Sequence, residues 1–129
     1  MKRTGLFAAI LLLAAAGLAF AEAEKISARD LWEAFRSDAE EATARYMGET
    51  MVVSGVVVET GMSIYMTPNV RISDTEGGPI YAICVLPRAD VFKLSDFKPG
   101  QPVAFTGRIY SAGRDDKGVV IKECKAVAE

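Results

Sequence analysis

Two stretches of this sequence share one pattern: Gly48-Glu49-Thr50-Met51-Val52-Val53-Ser54-Gly55-Val56-Val57 and Gly100-Gln101-Pro102-Val103-Ala104-Phe105-Thr106-Gly107-Arg108-Ile109. Both read Gly-x-x-apolar-x-apolar-x-Gly-x-apolar, and the second begins 52 residues after the first. The first glycine opens a strand after a turn, and the alternating apolar residues fill a barrel interior. The second glycine lets a strongly coiled strand bend without a side chain clashing across the corner. The segment between the copies is not duplicated, so similar positions in a barrel explain the pattern better than tandem duplication.

The remaining sequence supplies one long helix, one short helix and three more strands. Residues 27–46 have a helical apolar stripe, and Gly48 ends that helix. The predicted strands cover residues 50–59, 64–73, 80–86, 103–110 and 119–127, and a short helix covers residues 89–97. This order predicts a mainly β fold, a five-stranded OB-fold Greek-key barrel with an N-terminal amphipathic helix and a short helix between strands 3 and 4. The aromatic stripe of the first helix either docks on the barrel or binds a partner.

The first 21 residues have the pattern of a cleaved signal peptide. Lys2 and Arg3 precede an uncharged run over residues 5–20, which is shorter than the roughly 20 residues of a membrane-spanning helix. Ala19-Phe20-Ala21 supplies the small side chains that signal peptidase requires, which predicts cleavage between Ala21 and Glu22. We expect a periplasmic protein that keeps no stable membrane anchor.

The predicted domain organisation follows from this cleavage site and from the strand pattern. Residues 1–21 form the signal peptide, residues 22–48 form a helix packed on the barrel, and residues 49–129 form the OB-fold barrel. Cleavage removes two basic residues and no acid, so the formal charge falls from −2 to −4.

The composition excludes several kinds of catalytic and metal site. The chain contains no histidine, which rules out a Ser-His-Asp triad, a Cys-His pair and any zinc site that uses histidine. Two cysteines cannot complete an all-cysteine zinc site, which needs four thiolates. The sequence also lacks a Gly-x-Ser-x-Gly elbow and a glycine-rich phosphate loop. We therefore expect a protein that is not an enzyme and that has no cofactor and no metal.

The two cysteines, Cys84 and Cys124, suggest a structural disulfide between the third and fifth strands. An even pair in a small exported domain is typical of a disulfide, whereas a redox-active pair normally has Cys-x-x-Cys spacing. A bridge closing this 40-residue loop would contribute roughly 4 kcal/mol. Strand alternation leaves the direction of Cys124 open, because it places Lys122 on the same face.

The chain resembles the tRNA-anticodon-like OB-fold family (tRNA_anti-like), which consists of small exported bacterial proteins. The resemblance covers residues 26–127 and rests on Ala42-x-x-Arg45-Tyr46-x-Gly48 leading into Val53-x-Gly55-x-Val57, on Cys84, on Lys98-x-Gly100-Gln101-x-Val103-x-Phe105-x-Gly107, and on Ile121-x-x-Cys124. Residues 62–67 and 111–117 do not match the family pattern, and loops of this kind select the ligand. The resemblance implies the fold, and the family label records shape similarity rather than contact with tRNA.

OB folds bind ligands on their second and third strands and on the loops that join strands 1 to 2 and 4 to 5. Aromatic and arginine side chains, which suit stacking and anion contact, lie in or next to these predicted strands and loops. These candidate ligand-binding residues are Tyr65, Arg71, Tyr81, Arg108 and Tyr110.

These observations favour an exported, non-catalytic binding module of the bacterial envelope that recognises a protein, a peptide or a glycan. Nucleic acid is disfavoured as a partner, because phosphate-backbone binding depends on basic residues and the mature chain is acidic. Binding of single-stranded nucleic acid or an oligosaccharide through the OB face is one alternative, and a structural accessory role is the other.

Overall fold

The computed structural model describes residues 23–63, 65–113 and 117–127. The strands are β1 Glu24–Ser27, β2 Thr50–Met62, β3 Pro68–Ser73, β4 Ala82–Val85, β5 Pro102–Ser111 and β6 Val119–Ala126. The helices are α1 Ala28–Ser37, α2 Ala39–Tyr46 and a 3₁₀ helix over Arg88–Asp96. The predicted signal peptide and its cleavage site lie outside the described residues. None of the helices in these ranges has the length and apolarity of a membrane span.

Strand β2 is long enough to pair with two different strands. Its first half runs antiparallel to β5, from Thr50 opposite Arg108 to Val56 opposite Pro102. Its second half runs antiparallel to β3, up to Met62 opposite Pro68. Strand β3 pairs with β4, β4 pairs in parallel with β6, and β6 pairs with β5. The order β2-β3-β4-β6-β5 therefore closes back on β2, which confirms the predicted five-stranded OB-fold barrel.

The glycine in the middle of each repeated stretch lies where another strand comes too close for a side chain. A Cβ on Gly55 would meet Cγ2 of Ile72 and would stand 2.6 Å from the Ser73 carbonyl oxygen, at the point where β2 leaves β5 for β3. A Cβ on Gly107 would stand 2.6 Å from Cγ2 of Ile121. Both distances are shorter than real Cβ contacts. The structure therefore supports the role that the sequence pattern predicts for these glycines.

The barrel interior is filled by alternating apolar residues, and different elements cover its two ends. The apolar positions of the two repeated stretches are buried, as the pattern predicts: Met51, Val53, Val57, Val103, Phe105 and Ile109. Helix α1 packs against one end and buries Ala28, Leu31 and Phe35. The 3₁₀ helix lies near the other end and has no fully buried residue. The two ends are therefore packed to different degrees.

The N-terminal helix differs from its prediction because it is broken in two at Asp38. The Asp38 N–H donates to the Ala34 carbonyl and ends α1, while its carboxylate accepts from the Glu41 N–H and caps α2. Within α1, Leu31 is buried and Trp32 only half-buried, and Ala39, just after the break, is exposed. Strand β1, which pairs in parallel with the start of β2, lies outside the predicted set of elements.

Candidate binding surface

Strands β5 and β6 present a group of basic and aromatic side chains on the outside of the barrel. Arg108 lies opposite Lys122, and Thr106 lies opposite Lys125. The Lys122 Nζ lies 3.6 Å from the centroid of the Tyr110 ring, and Tyr110 is 53% exposed. The Arg108 guanidinium pairs with the Glu123 carboxylate at 3.3 Å. A planar ring and three cations therefore lie together on two adjacent strands.

The same outward surface continues across β2 to β1. The pairing registers place Lys25, Val52, Thr106 and Lys125 in one row across four strands. We refer to the outward side chains of Lys25, Arg108, Tyr110, Lys122 and Lys125 as the basic face. Its charge contrasts with the formal charge of the whole chain, which is −2.

A backbone irregularity explains why Lys122 and Lys125 share a face. Simple alternation would place side chains three positions apart on opposite sides of a strand. Glu123 has a φ of +57°, and the β5–β6 register shifts between Thr106 and Arg108. This bulge inserts one extra residue into β6, so that Lys122 and Lys125 both point outwards.

The candidate residues Tyr65 and Arg71 lie in a second neighbourhood. Tyr65, in the turn between β2 and β3, is 71% exposed, and its carbonyl accepts from the Arg88 guanidinium at 3.0 Å. Arg71, on β3, pairs with Glu59 of β2 at 3.4 Å. The Arg71 Nε and the Asn69 Oδ1 have no hydrogen-bond partner within the described ranges. Arg71 therefore retains a buried donor beside its ion pair.

Tyr81 lies in a third neighbourhood, where α1 meets the barrel. Its ring centroid is 5.4 Å from that of Trp32, and the rings are tilted by 56°. Its backbone N–H donates to Ile72, and its carbonyl accepts from Val119. The Tyr81 side chain is therefore part of the contact between helix and barrel.

The five predicted ligand-binding residues do not form one continuous surface. Arg71 lies on β3 and Arg108 on β5, and these strands are separated by β2 on one side and by β4 and β6 on the other. Outward side chains on strands so placed in a closed barrel diverge. The structure brings together Arg108 and Tyr110, and the prediction did not include their neighbours Lys122, Lys125 and Lys25. The alternation of apolar and polar residues around Ile109 identifies Arg108 and Tyr110 as outward residues of β5. The sequence pattern does not reveal the bulge in β6.

Cys84 and Cys124 are free and fully buried. Cys84 lies on β4 and Cys124 on the neighbouring strand β6, where the Cys124 thiol donates to the Ile121 carbonyl at 3.3 Å. Burial, followed by the hydrogen bond with Cys124, raises the pKa of the Cys84 thiol well above its usual range. The bulge at Glu123 turns Cys124 inwards and so resolves the ambiguity in its direction. The predicted disulfide is absent from the structure and stays a prediction.

No group of three or more acidic, cysteine or histidine side chains within the described ranges is placed to hold a metal ion. On the barrel surface, Glu59 and Glu123 are each engaged in an exposed ion pair.

Residues 13–125 match the family model described as tRNA_anti-like. The chain belongs to the tRNA_anti-like family. The match spans most of the sequence and confirms the resemblance that the repeated glycine pattern and Ile121-x-x-Cys124 indicated. This family is one of OB-fold binding domains, and the match indicates no catalytic family.

Solved structures show the same fold at low sequence identity. A protein of Klebsiella pneumoniae described as a "putative nucleic acid-binding lipoprotein" is 16% identical, with a TM-score of 0.67 over 85% of this chain and 96% of its own. A "putative aspartyl-tRNA synthetase" from Leishmania major is 12% identical, with a TM-score of 0.53 over 83% of this chain but 21% of its own. No curated protein matches the chain. These likenesses show the fold alone.

Proposed function

We propose that the mature protein is an exported, non-catalytic binding module of the bacterial envelope that binds an acidic partner through the basic face. The observation that carries this proposal is the grouping of Arg108 and Lys122 beside the exposed Tyr110 ring, with Lys125 further along the same face, in a chain whose overall charge is negative. An acidic protein segment, peptide or anionic glycan fits this surface best.

The side chains of the basic face supply complementary kinds of contact. The Arg108 guanidinium offers a planar fork of donors that matches a carboxylate or a sulfate. Its ion pair with Glu123 is exposed, so an incoming anion displaces Glu123 at little cost. The Tyr110 ring supplies broad apolar contact with few rotamers to lose, and Lys122 above it adds a second cation.

The predicted signal peptide supports the envelope as the place of action. The n-region, the apolar run and Ala19-Phe20-Ala21 together favour export, which would leave the mature chain to act beyond the cytoplasmic membrane. Tyr65 and Arg71 remain candidate contacts in this proposal, but only a ligand that extends around the barrel reaches both them and Arg108.

Single-stranded nucleic acid is the second candidate ligand for the same face. An exposed aromatic ring flanked by cations is the arrangement that stacks a base and neutralises its phosphate. The Klebsiella pneumoniae protein of the same fold is described as a "putative nucleic acid-binding lipoprotein", which adds support. The net negative charge of the mature chain opposes a long polyanion of this kind more than it opposes a short acidic segment.

A binding comparison with matched charge changes tests both candidates. Fluorescence anisotropy of the mature protein would use labelled oligoglutamate, a heparin octasaccharide and a dT20 oligonucleotide at several salt concentrations. The double variant Arg108→Glu/Lys122→Glu should weaken binding at least tenfold. The double variant Lys98→Glu/Lys117→Glu changes the net charge equally at exposed sites elsewhere and should bind almost normally.

The outcomes separate the two candidates. Preference for the glutamate peptide or the glycan supports the envelope proposal, whereas tightest binding of dT20 with a steep salt slope supports nucleic acid. Equal losses in the two double variants would show that only net charge matters and would overturn the assignment of the basic face.

A further inference from the structure

A cavity of about 380 Å³ lies between the 3₁₀ helix and the end of β6. Apolar atoms of Leu86, Phe97 and Cys124 line it, and Asp90, Lys93 and Lys125 add charged groups. Its volume falls within the range of small-molecule sites. Except for Lys125, its lining lies outside the basic face.

The cavity is present because the 3₁₀ helix packs loosely on the barrel. None of its residues is fully buried, and Leu94 makes only a partly buried contact with the core. Phe97, just beyond the helix, packs on Phe105 with ring centroids 5.3 Å apart. This contact fixes one apolar wall, while the helix leaves the space beside it unfilled.

The charged groups of the cavity favour an anion. Lys93 pairs with Asp90 at 3.5 Å, which neutralises the carboxylate. Lys125 then contributes a further positive charge. The lining therefore carries two lysines and one carboxylate beside apolar side chains, so that the cavity complements one negative charge joined to an apolar body.

We propose that this cavity binds a small amphipathic anion, with its carboxylate or sulfonate beside Lys93 and Lys125 and its ring or short chain against Leu86 and Phe97. The apolar part gains by leaving water, and the anionic part gains a charge-assisted contact at the rim. The site shares Lys125 with the basic face and otherwise uses different side chains.

The test measures binding of decanoate and of 8-anilinonaphthalene-1-sulfonate to the mature protein, by calorimetry and by fluorescence. We expect one saturable site for which the two compounds compete. Decanol, which has the same chain without the charge, should bind at least tenfold more weakly than decanoate.

Variants locate the site. Ala126→Trp places a large side chain in the cavity wall and should weaken both ligands at least tenfold. Lys93→Gln changes an exposed side chain and should weaken decanoate about tenfold while leaving decanol unchanged. The control Lys117→Gln removes an exposed lysine of the loop between β5 and β6, which does not line the cavity, and should bind as the unmodified protein does.

Two results would overturn the proposal. One is the absence of saturable binding by either anion, and the other is binding that Ala126→Trp and Lys93→Gln leave unchanged. The double variant Arg108→Glu/Lys122→Glu should still bind decanoate within about threefold, which separates failure here from failure of the basic face.

Discussion

Gly107 of β5 lies directly against Cys124 of β6, and a Cβ on Gly107 would stand 2.9 Å from the Cys124 sulfur. The contact is this close because the bulge at Glu123, with a φ of +57°, turns Cys124 into the barrel. The absence of a side chain at Gly107 therefore leaves the space that the inward-turned Cys124 thiol occupies.

Gly107→Ala should lower the free energy of unfolding by about 2–3 kcal/mol, because the added methyl group overpacks the interior. The methyl group would also meet Cγ2 of Ile121 and the Lys122 carbonyl oxygen, and the backbone oxygen cannot rotate away. Urea denaturation of the mature protein measures the effect.

Gly61→Ala is the matched control, because Gly61 is also a strand glycine and a Cβ there would have no neighbour closer than 3.5 Å. Its stability should be unchanged or raised by up to about 1 kcal/mol, since alanine restricts the unfolded chain. Equal losses for the two variants would show that the close approach at Gly107 is not what requires glycine.

The mature protein isolated from the periplasm should contain a Cys84–Cys124 disulfide. The two residues lie on neighbouring strands in the barrel interior, and an oxidising compartment favours the bond. Thiol titration after denaturation without reductant should find no free thiol, and reduction should lower the melting temperature by several degrees. Two free thiols per chain in freshly exported protein would contradict this prediction, and a Cys84→Ala/Cys124→Ala variant should not respond to reductant.

The reduced protein should lose stability as the pH rises above the ordinary thiol pKa of about 8.5. The pKa of the buried Cys84 thiol is raised, so the folded state keeps this proton in the range where the unfolded chain releases it. Stability from this group is therefore complete below about pH 8.5 and declines above it. Urea denaturation between pH 7 and pH 10 should show a steeper decline for the reduced protein than for Cys84→Ala, and parallel curves would exclude the linkage.

Tyr81→Ala and Tyr110→Ala should differ in their effects on stability. Tyr81 packs on Trp32 where α1 meets the barrel, so its removal should cost about 2 kcal/mol. Tyr110 is largely exposed, and its removal should change stability by less than about 0.5 kcal/mol. Thermal denaturation compares the two directly, and an equal cost would mean that the Tyr110 ring is more tightly packed than its exposure implies.

The barrel could be predicted from sequence because its determinants are local. The period-two alternation around Val53 and Phe105, together with glycines at Gly55 and Gly107, specifies bent strands with one buried face. The sequence does not reveal the break at Asp38, because helical periodicity continues almost unchanged across it. Asp38 stops one helix and caps the next through backbone dihedrals that the apolar stripe does not record.

The binding surface could be predicted only in part, because it depends on which strands are neighbours. Sequence places Arg108 and Tyr110 on one predicted strand and among the candidate ligand-binding residues. Lys122 and Lys125 join them through the β5–β6 register and the bulge, which have no signature in the alternation of β6. Residue type alone predicts a ligand contact for Tyr81 as well, because it does not show that the Tyr81 ring faces Trp32.

Site-specific photocrosslinking in the envelope tests the central claim most directly, because it shows which surface meets a partner in the compartment where we propose that the protein acts. A benzophenone side chain would replace Tyr110 on the basic face or Thr43, an exposed residue of α2. We predict a discrete adduct at position 110 that is lost when Arg108→Glu is added, and none at position 43. An adduct at position 43 with none at position 110 would place the interface on the helices and contradict the account.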